Sequence, residues 1–314
     1  MYAERAAAEK SDEHASIRQI KGIVILFCLV LSILCGTGAL QRARASEQEM
    51  EECAPPVTED AGIFLNGATV WSGNVQVDKN IIIPKGSSLT ILPGAKIRFA
   101  LPEVKPGEKT VPWLLILGDL KAEGRAEAPI GFSPEKPRVN QSENMVEARE
   151  GTSIALGWCV FENGPWAVHL HDAKADISST VFRNNHGGLR YKGGEVSVRK
   201  SRFEGNKVGA RLWFARPVFE ENSFINNETG IFFREGIEQA AIRRNNFDNL
   251  DYDIKIGDFQ EADIDASSNW WKASAMGELA DRIFDGSDSE GVGRLVTDPV
   301  LSAPFEPKNV SREQ

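Results

Sequence analysis

The sequence predicts an all-β protein, a right-handed parallel β-helix with coils of about 21 residues and a short helix near its C-terminus. Three observations predict it. A phenylalanine recurs at Phe161, Phe182, Phe203, Phe224 and Phe247, in steps of 21, 21, 21 and 23 residues. Apolar pairs stand seven and nine places after each one, as Val168/Leu170, Leu189/Tyr191, Ala210/Leu212, Ile231/Phe233 and Ile254/Ile256. A further apolar residue stands five places before, at Leu156, Ile177, Val198, Phe219 and Ile242. Asn or Gly stands two places after, at Asn163, Asn184, Gly205, Asn226 and Asn249.

Alternating apolar pairs between Asn/Gly corners are short strands, two or three to a copy. No copy has the 3.6-period stretch that a helical or leucine-rich repeat needs. One copy cannot close a core, whereas stacked copies bury their apolar columns against one another. The Phe column is then expected inside as an aromatic stack, and the Asn column as a corner ladder of side-chain amides.

The chain opens with a targeting segment. Lys10, Arg18 and Lys21 lead into IVILFCLVLSILC at residues 23–35, and Ala43-Arg44-Ala45 is a small-x-small cleavage site. Those parts describe a secretory signal that leaves Ser46 as the new N-terminus. Uncleaved, residues 22–40 form a run long enough to anchor the chain in a membrane. Both readings export the bulk of the chain to a periplasmic or extracellular space, after a linker at residues 46–62.

The solenoid is expected as one domain over residues 63–305, with a tail at 306–314. Its first half carries the alternating pairs Val75/Val77, Ile81/Ile83, Leu89/Ile91, Ile97/Phe99, Leu115/Leu117, Leu120/Ala122 and Ile130/Phe132. Pro84-Lys85-Gly86 and Pro93-Gly94 turn between them. Residues 101–112 read as a looped excursion and residues 133–152 as a polar, irregular one. The regular repeats span residues 154–269. After Asn269-Trp270-Trp271, the residues Met276, Leu279, Ala280, Ile283 and Phe284 follow a helical spacing that Gly286 stops. A capping helix is expected there, within residues 269–286.

Charge and cysteine content exclude several classes. The net charge is -9; residues 1–45 hold six Lys+Arg and four Asp+Glu, leaving -11 on the remainder. A nucleic-acid binder needs a basic surface, so no nucleic-acid partner is expected. Cys28 and Cys35 lie in the apolar run; Cys53 and Cys159 remain, a pair able to bridge in an oxidising compartment but no disulfide framework. Asp285, Asp288 and Glu290 do not have the spacing of an EF-hand loop and read as a solvated acidic turn.

The opening VWSGNVQVDKNIIIPKGSSLTILPGAKIRFA and the closing SNWWKASAMGELADRIFDG…VTDPVLSAPF resemble secreted β-helix proteins of the pectate-lyase-like superfamily. The resemblance covers about residues 63–305. It is nearer to that superfamily's non-catalytic repeat group, which includes periplasmic proteins linked to copper processing, than to its enzymes. The family's NWWG motif has Lys272 in place of its glycine. Catalytic residues do not carry over: the Asn-Thr-Asp and paired Asp-Asp of polygalacturonase-like hydrolases are missing, and His186-Gly187 matches their His-Gly dipeptide alone. Hydrolysis of a glycoside needs two carboxylates about 5–9 Å apart.

Alternation along a strand assigns the residues between the buried pairs to the outside. These are His169, Arg190, Arg211, Phe232 and Lys255 in one column, and His171, Lys192, Trp213, Arg234 and Gly257 in the next. Cations and aromatic residues therefore line one outer sheet of an acidic protein, with no carboxylate in either column. Like charges on neighbouring strands repel, so either an anionic ligand or the nearby Asp172, Glu235 and Asp258 must balance them. The expected function is an exported, non-enzymatic scaffold, a monomer binding an acidic glycan or an acidic protein surface through these residues. The alternative is a metal-independent polysaccharide lyase or epimerase acting on uronate-containing glycan, with a His as base and Arg190, Lys192 or Arg211 neutralising the uronate. No catalytic residue, cofactor or metal is assigned. His169 and His171 are two apart on one strand but have no third ligand in view, and the resemblance alone suggests a metallochaperone-like role for them.

Overall fold

A computed structural model describes residues 62–102 and 113–306, apart from the side chains of Asp258, Ala275 and Met276. The targeting segment, Cys53, residues 103–112 of the expected loop, and the tail from residue 307 lie outside the described residues. Among the described residues no helix is long and apolar enough to cross a membrane.

Eight successive coils each contribute one strand to each of three parallel sheets, always in the same order, and the chain then adds two more strands to sheet A and one to sheet C. A ten-stranded sheet A runs from Ile63–Phe64 to Ile283–Phe284, an eight-stranded sheet B from Ala68–Trp71 to Ala241–Arg243, and a nine-stranded sheet C from Asn74–Val77 to Trp270–Trp271. The chain is a right-handed parallel β-helix. Pairing is in register, so each residue lies beside its counterpart in the next coil, as in Phe161↔Phe182, Phe182↔Phe203 and Phe203↔Phe224.

The predicted aromatic column fills the interior of sheet C. Successive rings of Phe132, Phe161, Phe182, Phe203, Phe224, Phe247 and Trp271 stack with interplanar angles of 15° or less. The Phe203 and Phe224 centroids are 4.6 Å apart. Val75 and Ile97 begin the same column, each paired with the next position along it. Sheet A faces this stack with Val168/Leu170 through Ile254/Ile256, and sheet B with Leu156, Ile177, Val198, Phe219 and Ile242, all buried.

The corner asparagines divide into two kinds, which corrects the expected ladder. Asn163, Asn184, Gly205 and Asn226 take left-handed backbone conformations, with φ of 59°, 55°, 64° and 56°. Asn and Gly are the residues that enter this region at least cost. The amide ladder is the adjacent column, which Asn249 of the expected column joins at its end. Asn185 Oδ1 accepts from the backbone N–H of Gly164, Asn206 from that of Asn185, and Asn227 from that of Asn206, at 2.9, 3.0 and 3.0 Å. Each amide also donates backwards to a Phe carbonyl, as Asn206 Nδ2 does to Phe182 O at 2.9 Å. A second ladder crosses the corner before sheet C through Thr180, Ser201, Asn222, Asn245 and Asn269. The turning backbone at each corner thus finds partners away from water, which a buried N–H requires.

Five further readings change. Residues 144–148, inside the expected irregular segment 133–152, form the sheet A strand Asn144–Ala148, buried throughout. In the run from Trp113 to Leu117 the inward pair is Leu114/Ile116, not Leu115/Leu117, because Leu114 and Ile116 pair with Ile81 and Ile83. The C-terminal helix is the five-residue Lys272–Met276, stopped by Gly277 at φ 76°. Ile283 and Phe284, expected within it, form the last strand of sheet A. Asp285 is not solvated: it is buried and accepts from the N–H groups of Ser287 and Leu295 at 2.8 Å each. Cys159, offered as half of a bridge, is a free thiol in the core, where burial pushes its pKa far above the usual range.

Two outcomes follow from this interior. Phe203→Ala removes a ring stacked on both sides, and a loss of about 3–5 kcal/mol is expected; an unchanged denaturant midpoint would contradict the register. The ladder Asn185–Asn206–Asn227–Asn249 ends on Asp253, whose Oδ1 accepts both Asn249 N–H groups at 2.9 and 2.8 Å. Burial pushes the Asp253 carboxyl up to about 6, against 3.8 for the free side chain. Between those values the folded state holds a proton that the unfolded chain has released. The contribution of this group to stability is therefore fully present below about pH 4 and is lost as pH rises through about 6, roughly 2–3 kcal/mol in all. Asp253→Asn keeps the acceptor without the charge, and at pH 8 it should stabilise the protein by about 2 kcal/mol and flatten this window in denaturant titrations.

Candidate functional site

The outer face of sheet A gathers the residues assigned to it. Glu147, His169, Arg190, Arg211, Phe232, Lys255 and Phe284 form one column of register partners. His171, Lys192 and Trp213 form the second. The register shifts between Phe233 and Glu235, so Arg234 and Gly257 close that column on a bulge.

The three outer faces handle charge differently. On sheets B and C the register sets opposite charges side by side: Lys174 with Glu195 at 3.6 Å, Arg199 with Glu220 at 3.2 Å and Arg183 with Glu162 at 2.8 Å. On sheet A it sets Arg190 beside Arg211, and the cations settle on aromatic rings. Arg190 lies over Trp166 at 5.3 Å, Arg211 over Phe232 at 5.7 Å, and Lys255 over Phe284 at 5.0 Å. Lys192 and Arg234 both approach Trp213, at 4.9 and 4.3 Å. Such contacts are worth about 0.5–2 kcal/mol each. The Trp213 ring is engaged by those two cations, and its Nε1 donates to Glu235 Oε1 at 2.6 Å.

Of the three carboxylates expected to neutralise the stripe, Glu235 lies close enough to Arg234 to interact with its charge. Asp172 occupies a corner at φ 49°, and the side chain of Asp258 is outside the described set. A surface groove of about 680 Å3 lies over sheet B between Lys174, Glu195, Arg199 and Phe214.

Trp166 owes its place to a glycine. Its ring covers Gly187, the register partner on the next strand, where a Cβ would stand 2.2 Å from Trp166 Cε3. The other side of the His-Gly dipeptide, His186, meets Trp166 edge-on at 5.5 Å. Burial, with Lys207, Arg190 and Arg211 nearby, holds His186 down at about 4, so it is neutral and structural here.

At the upstream end of the stripe stands a carboxylate that the sequence reading missed. Glu147 is the register partner of His169. Together with His171 they bring three ligand atoms within 4.8 Å of one another, supplying the third group that the two histidines lacked. Glu147 Oε1 accepts from Arg149 Nε at 2.9 Å and Oε2 from Asn144 Nδ2 at 3.1 Å. Burial raises the Glu147 carboxyl, but the hydrogen bonds and charges of its neighbours outweigh it and keep the group ionised. Burial, with Arg190 and His171 alongside, pushes His169 down to about 3 and His171 below its ordinary value. Both imidazoles are therefore neutral. His169 Nδ1 lies 3.1 Å from Arg190 Nη2, a donor that cannot accept, so Nδ1 carries the lone pair. Glu147 sits in the segment read as irregular; the available signal was Val146/Ala148, an apolar pair 22 residues before Val168/Leu170.

Gly187→Ala should displace the Trp166 ring and cost roughly 1–3 kcal/mol by overpacking. A denaturation midpoint and near-ultraviolet dichroism identical to the parent would contradict the placement of that ring.

A family model described as right handed beta helix region matches residues 142–271, the span that holds Glu147, both histidines and the whole cationic stripe. No curated protein matches the chain, and no solved structure does.

Proposed function

We propose that the protein is an exported, non-enzymatic β-helix whose sheet A face binds an acidic glycan. The observation that carries this reading is the array of Arg190, Lys192, Arg211, Arg234 and Lys255 on four consecutive strands of a protein with net charge -9. Parallel strands repeat every ~4.8 Å, so the array offers cations at regular intervals to a chain that carries regular carboxylates. The rings beneath hold the cations in place, which lowers the ordering cost of binding. The part we assign to Trp213 is to fix Lys192 and Arg234. The resemblance to secreted pectate-lyase-like proteins favours a polysaccharide over other polyanions.

A second reading, a uronate lyase or epimerase, is favoured by the neutral imidazoles at the end of the array. There His171 takes the proton α to a uronate carboxyl that Arg190 and Lys192 neutralise.

Titrating uronate-rich and neutral oligosaccharides against the parent and a Lys192→Glu/Arg211→Glu/Arg234→Glu variant separates these readings. The parent should bind the acidic oligosaccharides alone, more weakly as salt is raised, and the variant at least tenfold more weakly. Equal binding by both proteins would overturn the glycan reading. An ultraviolet-absorbing unsaturated product would establish the lyase, and binding of acidic peptides in place of glycans would move the face to a protein partner.

A further inference from the structure

We infer that Glu147, His169 and His171 form a binding site for a late first-row divalent cation of the Zn2+ class. The inference is independent of the glycan reading. It begins from register: strand Asn144–Ala148 sets Glu147 beside His169, and alternation along Trp166–His171 puts His171 on the same face. The imidazole rings lie 4.0 Å apart, centroid to centroid.

Two acceptors face each other in this cluster. His169 Nδ1 stands 3.7 Å from Glu147 Oε2, and Nδ1 carries a lone pair because it receives Arg190 Nη2. One carboxylate and two imidazoles whose ligand atoms lie within 4.8 Å of one another form a donor set that a cation would stabilise. Arg190 supplies part of that charge from one side, and a metal ion would supply it from the centre. Bonds of about 2.0–2.2 Å to a tetrahedral ion put ligand atoms roughly 3.3 Å apart, so the 3.7 Å pair needs only a small closure.

The surroundings suit a metal of borderline softness. Two imidazoles and one carboxylate favour Zn2+ and its neighbours over Ca2+ or Mg2+, which take oxygen ligands. Asn144 and Arg149 hold the carboxylate from behind, as outer partners of a metal ligand do. Glu147 and His169 are 4% and 8% exposed, which keeps water from competing for them. Three protein ligands leave a fourth position open on the outer side of the sheet. Arg190 is the built-in competitor, since its guanidinium must leave Nδ1 for the ion to take it.

The test is a calorimetric titration of the metal-free full chain with Zn2+, and with Co2+ followed by its visible absorption. The parent should take up about one equivalent, which an excess of Ca2+ or Mg2+ does not displace. His171→Gln, at a half-buried position, and Glu147→Gln should each bind at least tenfold more weakly with the denaturation midpoint still cooperative. Arg190→Gln should bind several-fold more tightly, an effect that a purely structural cluster would not show. Failure of both the parent and Arg190→Gln to bind Zn2+, or equal affinity in the parent, His171→Gln and Glu147→Gln, would overturn the site.

Discussion

In a parallel β-helix every residue lies one strand spacing from its own counterpart, so each position must tolerate a copy of itself about 4.8 Å away. This constraint governs the whole structure. Inside, phenylalanine meets it by stacking, since flat rings a strand apart fall into contact along the full column. At the corners asparagine meets it because one amide both donates and accepts, so identical side chains bond in series. Outside, charge meets it in two ways. Sheets B and C alternate sign between coils, whereas sheet A repeats cations and rests them on rings.

Sheet A is the face where this solution is least economical for stability alone. On sheet C the register sets Arg183 beside Glu162, whereas on sheet A it sets Arg190 beside Arg211. The chain instead keeps like charges together and adds Trp166, Trp213 and Phe232 to hold them. It then ends the stripe on a dry carboxylate and two neutral imidazoles. Neither the cation density along one face nor the convergent acceptor cluster at its end is required to close the coil.

Much of this was legible in the sequence because two periods reinforce each other. Period 2 separates inside from outside within a strand, and period 21 repeats the result, so Phe203 or Leu212 is assigned twice. Legibility fails where one period is lost. The run Leu114-Leu115-Ile116-Leu117 is apolar at every place, so alternation cannot choose the inward pair. Asn184-Asn185 and Asn226-Asn227 set two columns of asparagine side by side. Gly205 and Asn206 mark which is which, because glycine can serve the left-handed corner but not the ladder. Glu147 was hidden because its strand follows a polar loop and precedes the next at a step of 22. The cation–ring contacts depend on side-chain directions that a residue pattern does not carry.

The central claim is that coils stack in the stated register, and spin-label distances across sheet B test it most directly. Lys174 and Glu195 are register partners, and Asp119 lies two strands before Lys174 through Ser153. All are exposed, so labelled cysteines there leave the core intact. Labels at 174 and 195 should show strong dipolar broadening from a separation of one strand, and labels at 119 and 195 a distance of about 14 Å, three strand spacings. Absence of broadening in the first pair, or a distance beyond about 25 Å in the second, would contradict the stacking on which the core, the corners and the cationic face all depend.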